Sequence, residues 1–92
     1  MEILHKENGD KGAFHIEQEG KKAAEMTYVK NGDTRMIIDH TEVDSAFKGE
    51  GYGKALVFHS AEFAREHHLK VLPLCPFAKA LYHRYEELQD VL

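Results

Sequence analysis

The chemistry available to this chain rests on one cysteine, one set of close glycines and a few histidines and tyrosines. Cys75-Pro76 stands where a short apolar segment gives way to a helical one. Its sulfur is therefore expected to face the backbone N–H groups of a first helical turn, a setting that favours thiolate over thiol. A nucleophile and a non-covalent wall residue both fit that position, as does a cysteine simply buried as a small hydrophobe. His40 lies late in an extended segment and by alternation shares a face with Met36 and Ile38. An imidazole, whose unperturbed pKa is near neutral, suits a general base; the alternative is a histidine at a strand end beside Asp39 and Thr41. His67 and His68 are adjacent, so on a helix they diverge by about 100° and make a poor chelate; they read as a solvated helix end, and no metal is expected. His59 and His83 read as surface residues.

Lys48-Gly49-Glu50-Gly51-Tyr52-Gly53-Lys54 is the second feature. Closely spaced glycines let several N–H groups converge, and a following helix adds its unpaired donors and positive dipole end. The natural guest is a phosphate. A nucleoside triphosphate loop needs Gly-Lys followed by Ser or Thr, whereas Gly53-Lys54 is followed by Ala55. The GxGxxG spacing of a dinucleotide site is also absent. What remains is a pyrophosphate held by backbone amides without a metal, a group that coenzyme A possesses. A merely flexible connection into a helix is the alternative.

The elements that position these residues are legible as a pattern. Gly9, Gly12, Gly20 and Gly32 punctuate short alternating segments: Ile3 to Lys6, the stretch holding Phe14 and Ile16, and the stretch holding Ala24, Met26 and Tyr28. Antiparallel hairpins are the expectation, with Asn31-Gly32 as a two-residue type I′ turn and a fourth strand from Arg35 to Val43. From Lys54 to His68 the period becomes helical, with Leu56, Val57, Ser60, Ala61, Phe63 and Ala64 on one arc and Phe58 facing away from it. A fifth strand follows at Lys70 to Leu74. A last helix opens at Cys75-Pro76 and carries Phe77, Ala78, Leu81, Tyr82, Tyr85 and Leu88 on its apolar side. The fold class expected is α+β: a mostly antiparallel sheet of about five strands with two helices, the fourth and fifth strands parallel through a right-handed crossover.

Ninety-two residues make one domain, 1–92, and leave no room for a barrel or a two-domain enzyme. With 12 Lys plus Arg against 16 Asp plus Glu the net charge is −4, which argues against a broad nucleic-acid face. One cysteine makes no internal disulfide, no targeting segment opens the chain, and the longest uncharged run, Val71 to Ala78, is far short of the ~20 residues of a membrane span. A cytoplasmic protein without a membrane partner is expected, as a monomer or weak homodimer.

The stretch Val43 to Leu56, VDSAFKGEGYGKAL, resembles the acetyl-CoA-binding motif of the GNAT superfamily of N-acetyltransferases, with Lys48 at its Arg/Gln position and Gly51 and Gly53 as its glycines. HTEVDSAFKGEGYGKAL followed by VLPLCPF is similar to a small single-module subgroup with a cysteine after the fifth strand; the N-terminal strands match only in length and pattern. The resemblance implies fourth and fifth strands that splay apart, with the pantetheine arm in the gap against Val43 and the pyrophosphate over Lys48, Gly49, Glu50, Gly51, Tyr52, Gly53 and Lys54. It places Cys75 near the acetyl thioester, as a nucleophile or a wall residue, and gives the subgroup a histidine at the position of His40, beside an acceptor amine. Tyr82, in Ala78-Lys79-Ala80-Leu81-Tyr82, corresponds to a tyrosine that contacts the coenzyme and protonates its departing thiolate; Tyr85-Glu86 stands where the family has Gly-Phe, and core packing explains Tyr82 equally well.

The leading expectation is thus an acetyl-CoA-dependent N-acetyltransferase acting on a small-molecule or protein amine. The acidic balance, with Glu86, Glu87 and Asp90 near the end, suits a cationic acceptor. A module that binds acetyl-CoA or coenzyme A without turnover, as a sensor or partner subunit, is the alternative. A structural interaction domain that binds neither comes third.

Overall fold

The computed structural model of the chain describes residues 2–92. Strands β1 (Ile3–Asn8), β2 (Lys11–Gln18), β3 (Lys21–Asn31) and β4 (Arg35–Val43) form an antiparallel meander. Helix α1 (Tyr52–Glu66) then crosses to β5 (Lys70–Pro73), which pairs parallel with β4, and α2 (Pro76–Arg84) follows. The sheet order is β1-β2-β3-β4-β5, the α+β architecture expected. Among the described residues, no helix is long and apolar enough to cross a membrane.

Alternation builds one core. Phe14, Ile16, Met26, Tyr28, Met36 and Ile38 from the sheet meet Leu56, Val57, Ala61 and Ala64 of α1 and Ala78 and Tyr82 of α2. The small buried residues Ser60, Ala61 and Ala64 let α1 lie close to the strands. Phe58, off the main arc, packs edge-on against Tyr85 at 5.3 Å between ring centroids, so it serves the contact between the two helices.

Three details differ from the expectation. Asn31-Gly32 is not a two-residue turn: Gly32, Asp33 and Thr34 connect β3 to β4 and only Gly32 has positive φ, 71°. Positive φ at both turn positions occurs instead at Glu19 (53°) and Gly20 (75°), which join β2 to β3. The last helix stops at Arg84, because Tyr85 adopts ψ 115°, and residues Glu86–Val91 form a 3₁₀ turn. Its period of three carries both Leu88 and Val91 into the core.

The third difference bears on the site. β4 holds a bulge: Tyr28 pairs with Ile38 and Thr27 with His40, so Asp39 is the extra residue. Met36 and Ile38 before it face the helices, and Thr41 and Val43 after it do so too. His40 therefore does not share the face of Met36 and Ile38. It lies with Glu42 on the face no helix covers.

Candidate active site

The parallel pairing of β4 with β5 ends at Ile38 and Pro73. The N–H groups of Leu74 and Cys75 both turn onto the Ile38 carbonyl, at 3.0 and 3.2 Å, and the chain leaves the sheet for α2. Among the described residues, 39–43 of β4 thus pair with no strand on that side, and β4 and β5 part. After β4, Asp44 caps a 3₁₀ turn (Ser45–Phe47) through its Oδ1, which accepts from the Ala46 N–H at 2.9 Å. Gly49 (φ 88°) and Gly51 (φ 81°) then bend the chain into α1. The first bond of the helix end runs from the Ala55 N–H to the Gly51 carbonyl, 3.0 Å. Among the described residues, the N–H groups of 48–54 serve no turn, loop or cap carbonyl. They are the unpaired donors of a helix start, with its positive dipole end behind them.

These donors border a cleft of ≈ 630 Å³ between β4, the glycine loop and α2. Its walls include Thr41, Val43 and Phe47 on one side and Phe77, Leu81 and Tyr85 on the other; Lys48, Lys54 and Arg84 supply positive charge and Glu42 a single carboxylate. Lys54 Nζ stands 4.7 Å from the centre of the Tyr85 ring and 5.6 Å from that of Phe58. Gly53 sits where a Cβ would run within 2.7 Å of the far end of the Phe77 ring, so that ring lies against the bare backbone of the first turn of α1.

Of the sequence candidates, Val43, Lys48, Gly49, Gly51, Tyr52, Gly53 and Lys54 line the cleft. Glu50 is exposed and does not. Cys75 is 5 % exposed at the N-cap of α2, beneath the cleft wall at Phe77 and not itself among the residues that line the cleft. Burial pushes its thiol up, but the N–H groups of Ala78 and Phe77 together with the hydroxyl and N–H of Thr41 outweigh this, holding it below the ordinary thiol value. Tyr82 is fully buried and lies off the cleft. Its hydroxyl is 2.7 Å from Ser60 Oγ, which itself donates to the Val57 carbonyl at 2.6 Å, so the phenol donates to the serine. Burial pushes that phenol up to about 12. A tyrosine so placed is a core residue. His40 is exposed beside Glu42 Oε2, at 3.3 Å, beyond the bulge. The cleft residues not singled out from sequence are Thr41, Phe77, Leu81, Arg84 and Tyr85. Helical periodicity marks Phe77, Leu81 and Tyr85 as apolar, but only the early end of α2 turns their side toward open space.

Compared with known proteins, residues 13–91 match the family model of GCN5-related N-acetyl-transferases. The chain belongs to that family. Its fold is shared with a GCN5-like protein of Staphylococcus aureus solved by NMR, at 37% identity and a TM-score of 0.74 over 98% of this chain and 85% of that one. A ribosomal-protein-alanine N-acetyltransferase from Brucella melitensis has a TM-score of 0.71 at 21% identity, over 84% of this chain and 62% of that one. An aminoglycoside 6′-N-acetyltransferase complexed with coenzyme A has a TM-score of 0.63 at 13% identity, over 72% and 38%. Those two show the fold alone, and this GCN5-related chain spans less than two thirds of either one's length. No curated protein matches the chain.

Proposed function

We propose that this chain is an acetyl-coenzyme A-dependent N-acetyltransferase whose coenzyme lies in the cleft between β4 and α2. The observation that supports this most is the row of free N–H groups of residues 48–54 at the head of α1, opening into a cleft whose strands have parted. The residues fit the group. Lys48 to Lys54 would receive the pyrophosphate, Lys54 and Arg84 stand ready for further phosphate charge, and the unpaired edge of β4 at Val43 offers backbone bonds to an amide-bearing arm. When bound, the coenzyme supplies an activated thioester.

The chain's own part is to hold and to polarise. The edge of β4 and the N-terminus of α2 present N–H donors where a thioester oxygen gains charge, as an oxyanion site does. Cys75, with its lowered thiol pKa, is either the acceptor of the acetyl group or a polar wall beside it. An amine is the acceptor, taken up as a free base by water or by His40 from the far side of the splayed strands. We place the protein in the cytoplasm, where the coenzyme and reduced thiols coexist.

The test combines melting curves with acetyl-coenzyme A, coenzyme A and ATP with intact-protein mass after incubation with acetyl-coenzyme A. Stabilisation by the first two and not by ATP, with thiol release when an amine is added, is the expected result. A mass gain of one acetyl group that is lost in Cys75→Ala assigns the covalent route; turnover by unmodified protein assigns direct attack. Absence of any coenzyme-dependent stabilisation would overturn the reading, and stabilisation without thiol release would make the chain a binding module.

A further inference from the structure

We propose that Tyr85 is a positioning residue for a phosphate-monoester site, its ring gathering Lys54 and Arg84 at one end of the cleft so that the protein tells coenzyme A from its dephospho form. The assignment rests on the reading that coenzyme A lies in that cleft. Tyr85 follows the last turn of α2. Its N–H donates to the Leu81 carbonyl at 3.0 Å and its carbonyl accepts from the Leu88 N–H at 3.1 Å, so the backbone carrying the ring is held on both sides. Phe58 of α1 meets that ring edge-on at 5.3 Å. Lys54 Nζ stands 4.7 Å from the centre of the Tyr85 ring, and Arg84 Cζ stands 5.7 Å from it. Two cations from different helices thus converge on one aromatic side chain, and all three residues line the cleft.

A ring face attracts a cation without neutralising it. Among the described residues neither Lys54 nor Arg84 makes an ion pair, and Glu42, the single carboxylate of the cleft, is paired with His40. Both positive charges therefore remain to be met. Coenzyme A carries two kinds of phosphate. Its diphosphate bridge has about one negative charge on each phosphorus and suits the neutral N–H groups of residues 48–54. Its 3′-phosphate is a monoester with about −1.5 to −2 at neutral pH, and suits an ammonium beside a guanidinium fork. Neutral donors in one place and cations in another match that division. The ring is what keeps the cations together, since two like charges on neighbouring helices would otherwise move apart. Tyr85-Glu86 stands where the resembled family has Gly-Phe, so the ring is a feature of this sequence and not of that pattern.

Calorimetric titration of the full chain with coenzyme A and with dephospho-coenzyme A, at several salt concentrations, reads the site. Wild type should bind coenzyme A about tenfold more tightly than the dephospho form, and the ratio should shrink as salt is raised. Tyr85→Leu should bring the ratio to within about twofold of unity while the affinity for dephospho-coenzyme A stays close to wild type, and Tyr85→Phe, which keeps the ring face, should retain the wild-type ratio. Should Tyr85→Leu fail to fold, the exposed Arg84→Gln is titrated in its place and should likewise lower the ratio. Equal wild-type affinities for the two ligands overturn the proposal. So does an unchanged ratio in the variant, or a variant that loses affinity for both ligands alike. Equal affinities in a protein that still transfers acetyl groups would leave the functional reading standing; a preference for coenzyme A in a protein that never releases its thiol would sink that reading and keep the monoester site.

Discussion

Glycine answers two different demands within five residues of the cleft loop. At Gly49 and Gly51 a Cβ would meet only open space, and the demand is the left-handed backbone itself. At Gly53 the backbone is ordinary helix and the demand is room beside Phe77. The two kinds of substitution should therefore part. Gly51→Ala should destabilise the fold by about 1 kcal/mol, a fall of roughly 4–8 °C in melting temperature. Gly53→Ala meets a ring that is 44 % exposed and free to swing, so it should melt within about 2 °C of wild type yet bind coenzyme A more weakly. Calorimetric titration beside melting curves reads both, and equal effects of the two changes on melting would refute the distinction. Tyr82 is the opposite case, a tyrosine to which the sequence resemblance lends a chemical role but which is fully buried and lies off the cleft. Tyr82→Phe removes one buried bond to Ser60 and should cost about 0.5–1.5 kcal/mol while leaving acetyl transfer within about twofold of wild type. A hundredfold loss of turnover in a folded Tyr82→Phe would return the proton-donor role to it.

At the scale of elements, what sequence could and could not tell divides along one physical line. Patterns set by a regular period were legible: four strands and a crossover helix fall out of alternation and 3.6-residue spacing, and glycines between a strand and a helix locate the cleft. Patterns set by a single irregular residue were not. Nothing in Ile38-Asp39-His40 marks Asp39 as a bulge, because Asp39 and His40 are polar and either fits an exposed position. That one residue reverses the face of everything after it, hiding Thr41 from a reading by alternation and misplacing His40. The end of α2 escaped similarly, since Tyr85, Leu88 and Val91 fit an apolar helical side as well as the 3₁₀ turn they form. That turn is fastened to α1 by Arg65, whose guanidinium donates to both Asp90 carboxylate oxygens, at 2.8 and 2.7 Å, and to the Glu87 carbonyl. Arg65 holds the Asp90 carboxyl below its ordinary 3.8. A depressed acid stabilises the fold above its unfolded pKa, and the gain is lost as pH falls through the folded value. Asp90→Asn should accordingly melt below wild type at pH 7, and the gap should shrink as pH falls below 3.8 toward the lowered folded value. A gap of the same size at pH 7 and at pH 2.5 would show that the ion pair is not what fastens the turn.

Across the whole molecule the two ends of α1 do different work. Its N-terminus serves the cleft, and roughly 16 Å further on, at 1.5 Å per residue, Phe63 anchors an aromatic cluster where β1, β2 and β3 meet the helix. His5 sits there against the rings of Phe14 (4.5 Å) and Phe63 (5.1 Å), its Nε2 2.5 Å from the Tyr28 hydroxyl, which in turn reaches Glu7 at 3.1 Å. Gly12 has no side chain because a Cβ would run into the Tyr28 ring. Burial lowers the His5 pKa from its ordinary 6.5; Glu7 pulls it up, and His59, Lys30 and His67 add to the lowering. For a base with a lowered folded pKa the unfolded chain binds more protons in the window between that value and 6.5, so stability falls as pH drops through it. Melting temperature should therefore decline more steeply below pH 6.5 in wild type than in His5→Gln, which keeps a polar partner for Tyr28 without the titration. The edge strand β1 has only β2 as a sheet neighbour, and its amides should lose hydrogen-exchange protection first. The stabilisation that coenzyme A confers at pH 7.5 should be the same in His5→Gln as in wild type, since the substitution touches the end of α1 that the cleft does not use. Parallel pH profiles for the two proteins would remove His5 as the source of the acid sensitivity, and a weakened coenzyme response in His5→Gln would show that the two ends of α1 are coupled after all.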